Sequence, residues 1–190
     1  MTYAVITDPY CYAGTSVLKN IPGIHDQATL DAFEAVSTAQ RSDEPLPGGR
    51  LSVTHYKSVH SHLFQDIYAW AGRFRTIRIG KSGNMFCYPE NIAREMKQLF
   101  SELKLNRHLR DLSRDDFAGG AARFLATLNA IHPFREGNGR TQTVFLALLA
   151  DHAGHPLEME RLVPANFLAA MIASFGGDEE PLAAELRKLI

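Results

Sequence analysis

Apolar residues in this chain recur mostly at helical spacing. Between Thr54 and Ala71 the residues Tyr56, Val59, Leu63, Phe64, Ile67, Tyr68 and Ala71 share one face, which predicts a helix over the whole stretch. Pro89 suits a first helical turn, and Ile92, Met96, Leu99, Phe100 and Leu103 form the stripe behind it. Ser113, three residues before Asp116, reads as an N-cap for a helix carrying Phe117, Ala121, Phe124, Leu125, Leu128 and Ile131. A further helix is expected from Asn138 to Ala153, stopping at Gly154 with Pro156 just beyond. Pro164 opens a segment with Phe167, Leu168, Met171, Ile172 and Phe175 on its apolar face, and Gly176-Gly177 closes it. Pro181 starts a short last helix over residues 180–190, and an early helix covers Asp26 to about Arg41.

One stretch departs from this period. Phe74 to Ile79 alternates with period two, Gly80-Lys81-Ser82-Gly83 is turn chemistry, and Met85 to Tyr88 returns as a second strand. A lone hairpin is marginal in water, so it must lean on the helices, leaving its outer edge unpaired. The expected fold is mostly α, a single domain with one small hairpin. The segment Ser42 to Gly49 reads as a loop, and no repeat or interdomain linker interrupts the chain.

Composition narrows the function classes. Over 190 residues, 20 Lys and Arg face 21 Asp and Glu, a net charge of −1, which argues against holding nucleic acid by bulk electrostatics. Two cysteines, Cys11 and Cys87, are too few for a disulfide framework or a thiolate metal cluster and read as small packed thiols. The start of the chain, Met1 to Asp8, lacks a basic region followed by an apolar one, and no stretch approaches the ~18 apolar residues of a membrane span. These features point to a soluble cytoplasmic protein with no membrane partner.

Several motif readings fail. Gly80-Lys81-Ser82 lacks the glycine a phosphate loop needs five residues earlier, where Arg75 stands. The eight histidines contain no His-Glu-x-x-His pair. His60 and His62 lie two apart and cannot share a helical face, and His152 and His155 sit at a helix end.

The segment from His132 to Arg140 (His-Pro-Phe-Arg-Glu-Gly-Asn-Gly-Arg) is denser in chemistry. On one reading it is only a tight joint: Pro133 stops one helix, glycines permit the turn and Asn138 caps the next. The combination says more. Two glycines flank a polar residue where a helix begins, and the unpaired amides there make an anion site. Arg140 in that first turn is disfavoured by the helix dipole unless an anion sits at the mouth. Glu136 is an oxygen ligand suited to Mg2+. His132, with a reference pKa of about 6.5, suits removal of a hydroxyl proton. Together these describe a phosphoryl- or nucleotidyl-transfer site.

This segment resembles the signature of the Fic (Fido) family, H-x-F-x-D/E-G-N-G-R-x-x-R, and His132 through Arg140 matches every specified position. Leu63 to Gly72 followed by Phe74-Arg75 looks like the family's helix leading into its hairpin. Ile79-Gly80-Lys81 and Phe86 look like the hairpin called the flap, and Asn129-Ala130-Ile131 fits the residues before the motif. Gly14 to Asn20 resembles the N-terminal segment of bacterial toxin and effector relatives. The likeness covers about residues 10–175. It implies one Fic domain over 1–190: a Fic-type helical bundle with a β-hairpin flap. It also implies a toxin-type protein adenylyltransferase moving AMP from ATP, with Mg2+, to a Ser, Thr or Tyr hydroxyl of a target protein. In that reading His132 is the general base and Glu136 holds the metal. Gly137, Asn138 and Gly139 line the phosphate cradle, Arg140 neutralises the leaving phosphates, and Phe134 is buried. The flap, with Lys81, Met85 and Phe86, clamps the target by strand addition, while Lys81 and Asn129 serve the nucleotide. A DNA gyrase-like topoisomerase is the target suggested by free-standing bacterial relatives.

The family's last arginine is absent, because position 143 is Thr. That arginine grips the γ-phosphate in relatives, a contact worth ~1.5–3 kcal/mol. Its loss leaves weakened ATP use, a substituting cation, a catalytically weakened binding module, or another donor giving UMP, phosphate or phosphocholine transfer. The family's inhibitory pattern, S/T-x-x-x-E-G/N, has no match, since only Glu90 and Glu136 precede Asn or Gly, and Phe86 and His132 stand four residues before them. A separate antitoxin subunit stays open.

Overall fold

A computed structural model describes residues 8–81 and 84–190. The reading of the first seven residues as free of a targeting signal, and that of Ser82-Gly83 as the hairpin turn, lie outside the described residues. Seven α-helices are seen among those described: α1 Gln27–Asp43, α2 Val53–Phe64, α3 Pro89–Leu105, α4 Arg114–Ile131, α5 Asn138–Ala153, α6 Pro164–Phe175 and α7 Glu180–Leu189. Two short strands, β1 Gly80–Lys81 and β2 Asn84–Met85, pair antiparallel with Gly80 opposite Met85 and Lys81 opposite Asn84.

Helix ends fall where capping chemistry puts them. Asp26 accepts the Thr29 amide before α1, Ser52 accepts that of His55 before α2, and Ser113 accepts that of Asp116 before α4. Pro89 and Pro164 occupy first turns, and Gly154 ends α5 in the left-handed region at φ 87°. Helix α4 is the axis of the fold, packing against α3, α5, α6 and α7, while α2 bridges α1 and α5. Phe117, Ala118, Ala121, Leu128, Phe145, Leu146 and Leu149 are fully buried between them. Leu182 and Leu186 of α7 bury against α4 and α6, so the last helix contributes to this core.

Three expectations need correction. The helix predicted to Ala71 stops at Phe64 and turns follow, yet Ile67 and Tyr68 stay buried. Compact turns laid over the same core keep the apolar spacing while abandoning the helical backbone. The hairpin ladder is two residues long in each arm and takes in Gly80 and Lys81, which the sequence assigned to the turn. Beyond the ladder the two expected arms still meet once, the Phe86 amide donating to the Ile79 carbonyl (3.1 Å), whereas the Arg75 amide turns away from the hairpin to the Pro133 carbonyl (2.9 Å). On α6 only Met171 of the expected stripe is buried, while Leu168 and Ile172 are more than half exposed.

Candidate active site

The loop between α4 and α5 gathers the chemistry. His132 ends α4 in the left-handed conformation (φ 48°), its amide still bonded to the Leu128 carbonyl at 3.0 Å. An L residue seldom stays there without support from its surroundings. Phe86, leaving β2, stacks its ring flat on the His132 imidazole, with centroids 3.8 Å apart and planes 9° apart. The flap therefore touches the residue expected to be the base.

Arg75 fastens both pieces. Its guanidinium is almost fully buried. It donates to the carbonyls of His132 (2.8 Å), Ile77 (2.6 Å), Cys87 (2.6 Å) and Ile131 (3.2 Å). Two of these acceptors lie at the carbonyl end of α4, where the helix dipole is negative, and two lie in the flap arms. Burial pushes the guanidinium pKa down, but an arginine keeps its charge. Sequence alternation alone gave Arg75 no such role.

The second half of the loop forms the mouth. Gly137 is the N-cap of α5 at φ 79°, and a Cβ there would stand 2.2 Å from the Phe64 ring, so both conformation and space demand glycine. Asn138 is the first helical residue and not the expected cap. Its side chain accepts from the Phe134 amide (2.9 Å) and donates to the Phe134 carbonyl (2.8 Å), closing the loop on itself. Phe134 is buried, stacked on Tyr56 and near His60. His60 accepts the Gly72 amide at Nδ1 (2.8 Å), so its Nε2–H donates to the Glu136 carbonyl (3.0 Å). Burial lowers its pKa to about 4, holding it neutral.

Gly137 has no side chain with which to cap the first turn of α5, and a Cβ on Gly139 would meet open space. The amides of Asn138, Gly139 and Arg140 thus begin a helix with an uncrowded mouth, which fits polyphosphate oxygens. The Gly137 amide instead donates to Glu136 Oε1 (2.9 Å). Glu136 is 44% exposed and 3.8 Å from Arg140. One exposed carboxylate beside an anion cradle fits Mg2+, which commonly takes one or two protein carboxylates and completes its shell with phosphates and water. No cluster of three metal-ligating side chains is found among the described residues, so an all-protein cage is not offered.

Other predicted residues are placed as follows. Met85 is half exposed on the flap, and Phe86 is buried. Lys81 contributes backbone to β1, while its side chain lies outside the description. The Asn129 amide donates to the Met171 carbonyl of α6 (3.4 Å), a contact between helices. Thr143 donates its hydroxyl back to the Gly139 carbonyl (3.1 Å), so it brings no charge to the mouth. Glu34 of α1, unmarked in the sequence, pairs with Arg140. Among the described residues no helix is long and apolar enough to cross a membrane.

Known proteins resemble the chain throughout. The profile of the Fic/DOC family matches residues 50–150. A probable protein adenylyltransferase, y4lH of Sinorhizobium fredii, is 54% identical over 189 residues, spanning 99% of this chain and 98% of that protein. The protein adenylyltransferase VbhT of Bartonella schoenbuchensis is 35% identical across 98% of this chain, which corresponds to 40% of its own length. Among solved structures, BepC of Bartonella tribocorum with bound AMPPNP superposes with a TM-score of 0.87 at 28% identity, covering 95% of each chain. A Fic domain of Bartonella quintana with bound ADP gives 0.88 at 29% identity, covering 95% and 93%.

Proposed function

The chain belongs to the Fic/DOC family and is a protein adenylyltransferase, and we propose how its residues carry out that reaction. His132 takes the proton from a Ser, Thr or Tyr hydroxyl of the target protein. The freed oxygen bonds to the α-phosphorus of ATP, and the bond from that phosphorus to the bridging oxygen breaks, releasing pyrophosphate. The amides of Asn138 and Gly139 hold phosphate oxygens at the α5 mouth, and Arg140 balances charge gathering on the leaving group. Glu136 would hold Mg2+, which would supply positive charge to neutralise the polyphosphate. The flap edge aligns the target as an added strand. Phe86 supports this reading most, because its ring joins the flap to His132 by direct stacking.

The toxin-type setting, a DNA gyrase-like target and a separate antitoxin subunit are proposals that rest on the resemblance, and a cytoplasmic location is a proposal that rests on composition. Thr143 supports a second reading, in which the donor differs at its terminal phosphate, because the hydroxyl is tied to Gly139 and adds no cation. Lysate incubated with ATP labelled at the α- or the γ-phosphate tests the first reading. It expects a protein band labelled only from the α position, with the mass gain of one AMP. Labelling from neither position, or mass gain of another group, refutes it.

A further inference from the structure

Arg140 is held from outside its own loop. One Nη donates to Glu34 of α1, the other reaches Thr38 Oγ1 at 3.4 Å, and the guanidinium lies 4.9 Å from the centre of the Phe64 ring. Glu34 is itself mostly buried, at 12% exposure, and accepts a second hydrogen bond from the Tyr68 hydroxyl at 2.5 Å. Tyr68 is buried and stacked on Trp70. Burial, then the bond to Glu34, pushes its hydroxyl pKa well up, so it remains a donor. Arg140 keeps 38% of its side chain exposed, and its bonds to described residues use only the two Nη atoms. A guanidinium has five N–H donors in a rigid fork, so donors remain for an anion at the α5 mouth.

We propose that Glu34, braced by Tyr68, is a positioning residue: it fixes the Arg140 guanidinium over Phe64 so that its remaining donors meet the donor phosphates already aligned. A mobile arginine would surrender rotamer freedom at the moment of transfer, and a pre-fixed one does not. The Tyr68 hydroxyl tempers the carboxylate, which would otherwise repel the polyphosphate. This rests on Arg140 acting on those phosphates.

A double-mutant cycle tests it with purified full chain, measuring ATP affinity by calorimetry and the rate of AMP transfer. Glu34→Gln is expected to slow transfer by roughly tenfold, Glu34→Asp to recover part of it, and Tyr68→Phe to fall between. In an Arg140→Ala background the same changes should alter the rate by less than about two-fold. A wild-type rate in Arg140→Ala overturns both the phosphate role of Arg140 and this inference. A slow Arg140→Ala enzyme in which Glu34→Gln still costs tenfold overturns this inference alone, as does a Glu34→Gln enzyme as fast as or faster than wild type.

Discussion

Replacing Arg75 with lysine should lower both stability and turnover. The arginine makes four side-chain bonds to carbonyls, at 2.8, 2.6, 2.6 and 3.2 Å, spread over α4 and both flap arms. A lysine keeps the charge, but its three donors radiate from a single nitrogen and cannot span both sides. Losing two charge-assisted bonds at ~1.5–3 kcal/mol each, with relaxation returning part, leaves a cost of about 3 kcal/mol. For a chain of this size that lowers the melting temperature by roughly 6–12 °C. The same bonds hold the His132 carbonyl and the Cys87 carbonyl to one group, so the imidazole loses its register with the flap. Transfer measured well below the melt should fall by about one to two decades, since small misplacements of a reacting group cost that much. Thermal denaturation and single-turnover labelling read the two effects separately. An unchanged melting temperature would show that the network does not hold the loop. A lowered melting temperature with transfer within two-fold of wild type would show that Arg75 supports the fold without positioning the base.

Two further outcomes follow from single groups. Thr143→Arg should raise ATP affinity or transfer rate by about one to two decades, the worth of one charge-assisted phosphate contact of ~1.5–3 kcal/mol, as read by calorimetry and labelling. No gain with ATP would direct attention to another donor. Burial holds His60 at about 4 against its ordinary 6.5, so the unfolded chain binds the proton first as pH falls. Its contribution is fully present above pH 6.5 and is lost progressively toward pH 4, about 3 kcal/mol in all. Urea midpoints taken down this range should fall more steeply for wild type than for His60→Gln.

How much of this was legible in the sequence depends on how local each signal is. Caps and punctuation are local, and Ser113, Pro89, Pro164 and Gly154 marked helix ends correctly. Apolar spacing reports burial, not backbone, so it carries a helix on through Ile67 and Tyr68, which are buried in turns. The candidate catalytic loop was legible because its residues are contiguous. The residues that hold the loop were not: Arg75 reads as one polar position in an alternating run, and Glu34 as the polar side of an ordinary helix. Glu34 acquires its role from Arg140, and Arg75 its hold on the loop from the end of α4, in each case more than fifty residues away. Asn138 shows the same limit at short range. A helix-start asparagine suggests a cap, yet its amide closes the preceding loop on Phe134 because Gly137 already takes the cap position.

We propose that His132 acts as the base of a pocket whose nucleotide-binding part does not depend on it. ATP affinity and the AMP-transfer rate of His132→Ala, measured side by side with wild type, test it most directly. With His132 as the base, affinity should stay within about threefold of wild type and transfer should fall at least ~100-fold, the contribution of a positioned proton acceptor. Transfer at near wild-type rate, or a loss explained wholly by weaker ATP binding, would contradict it.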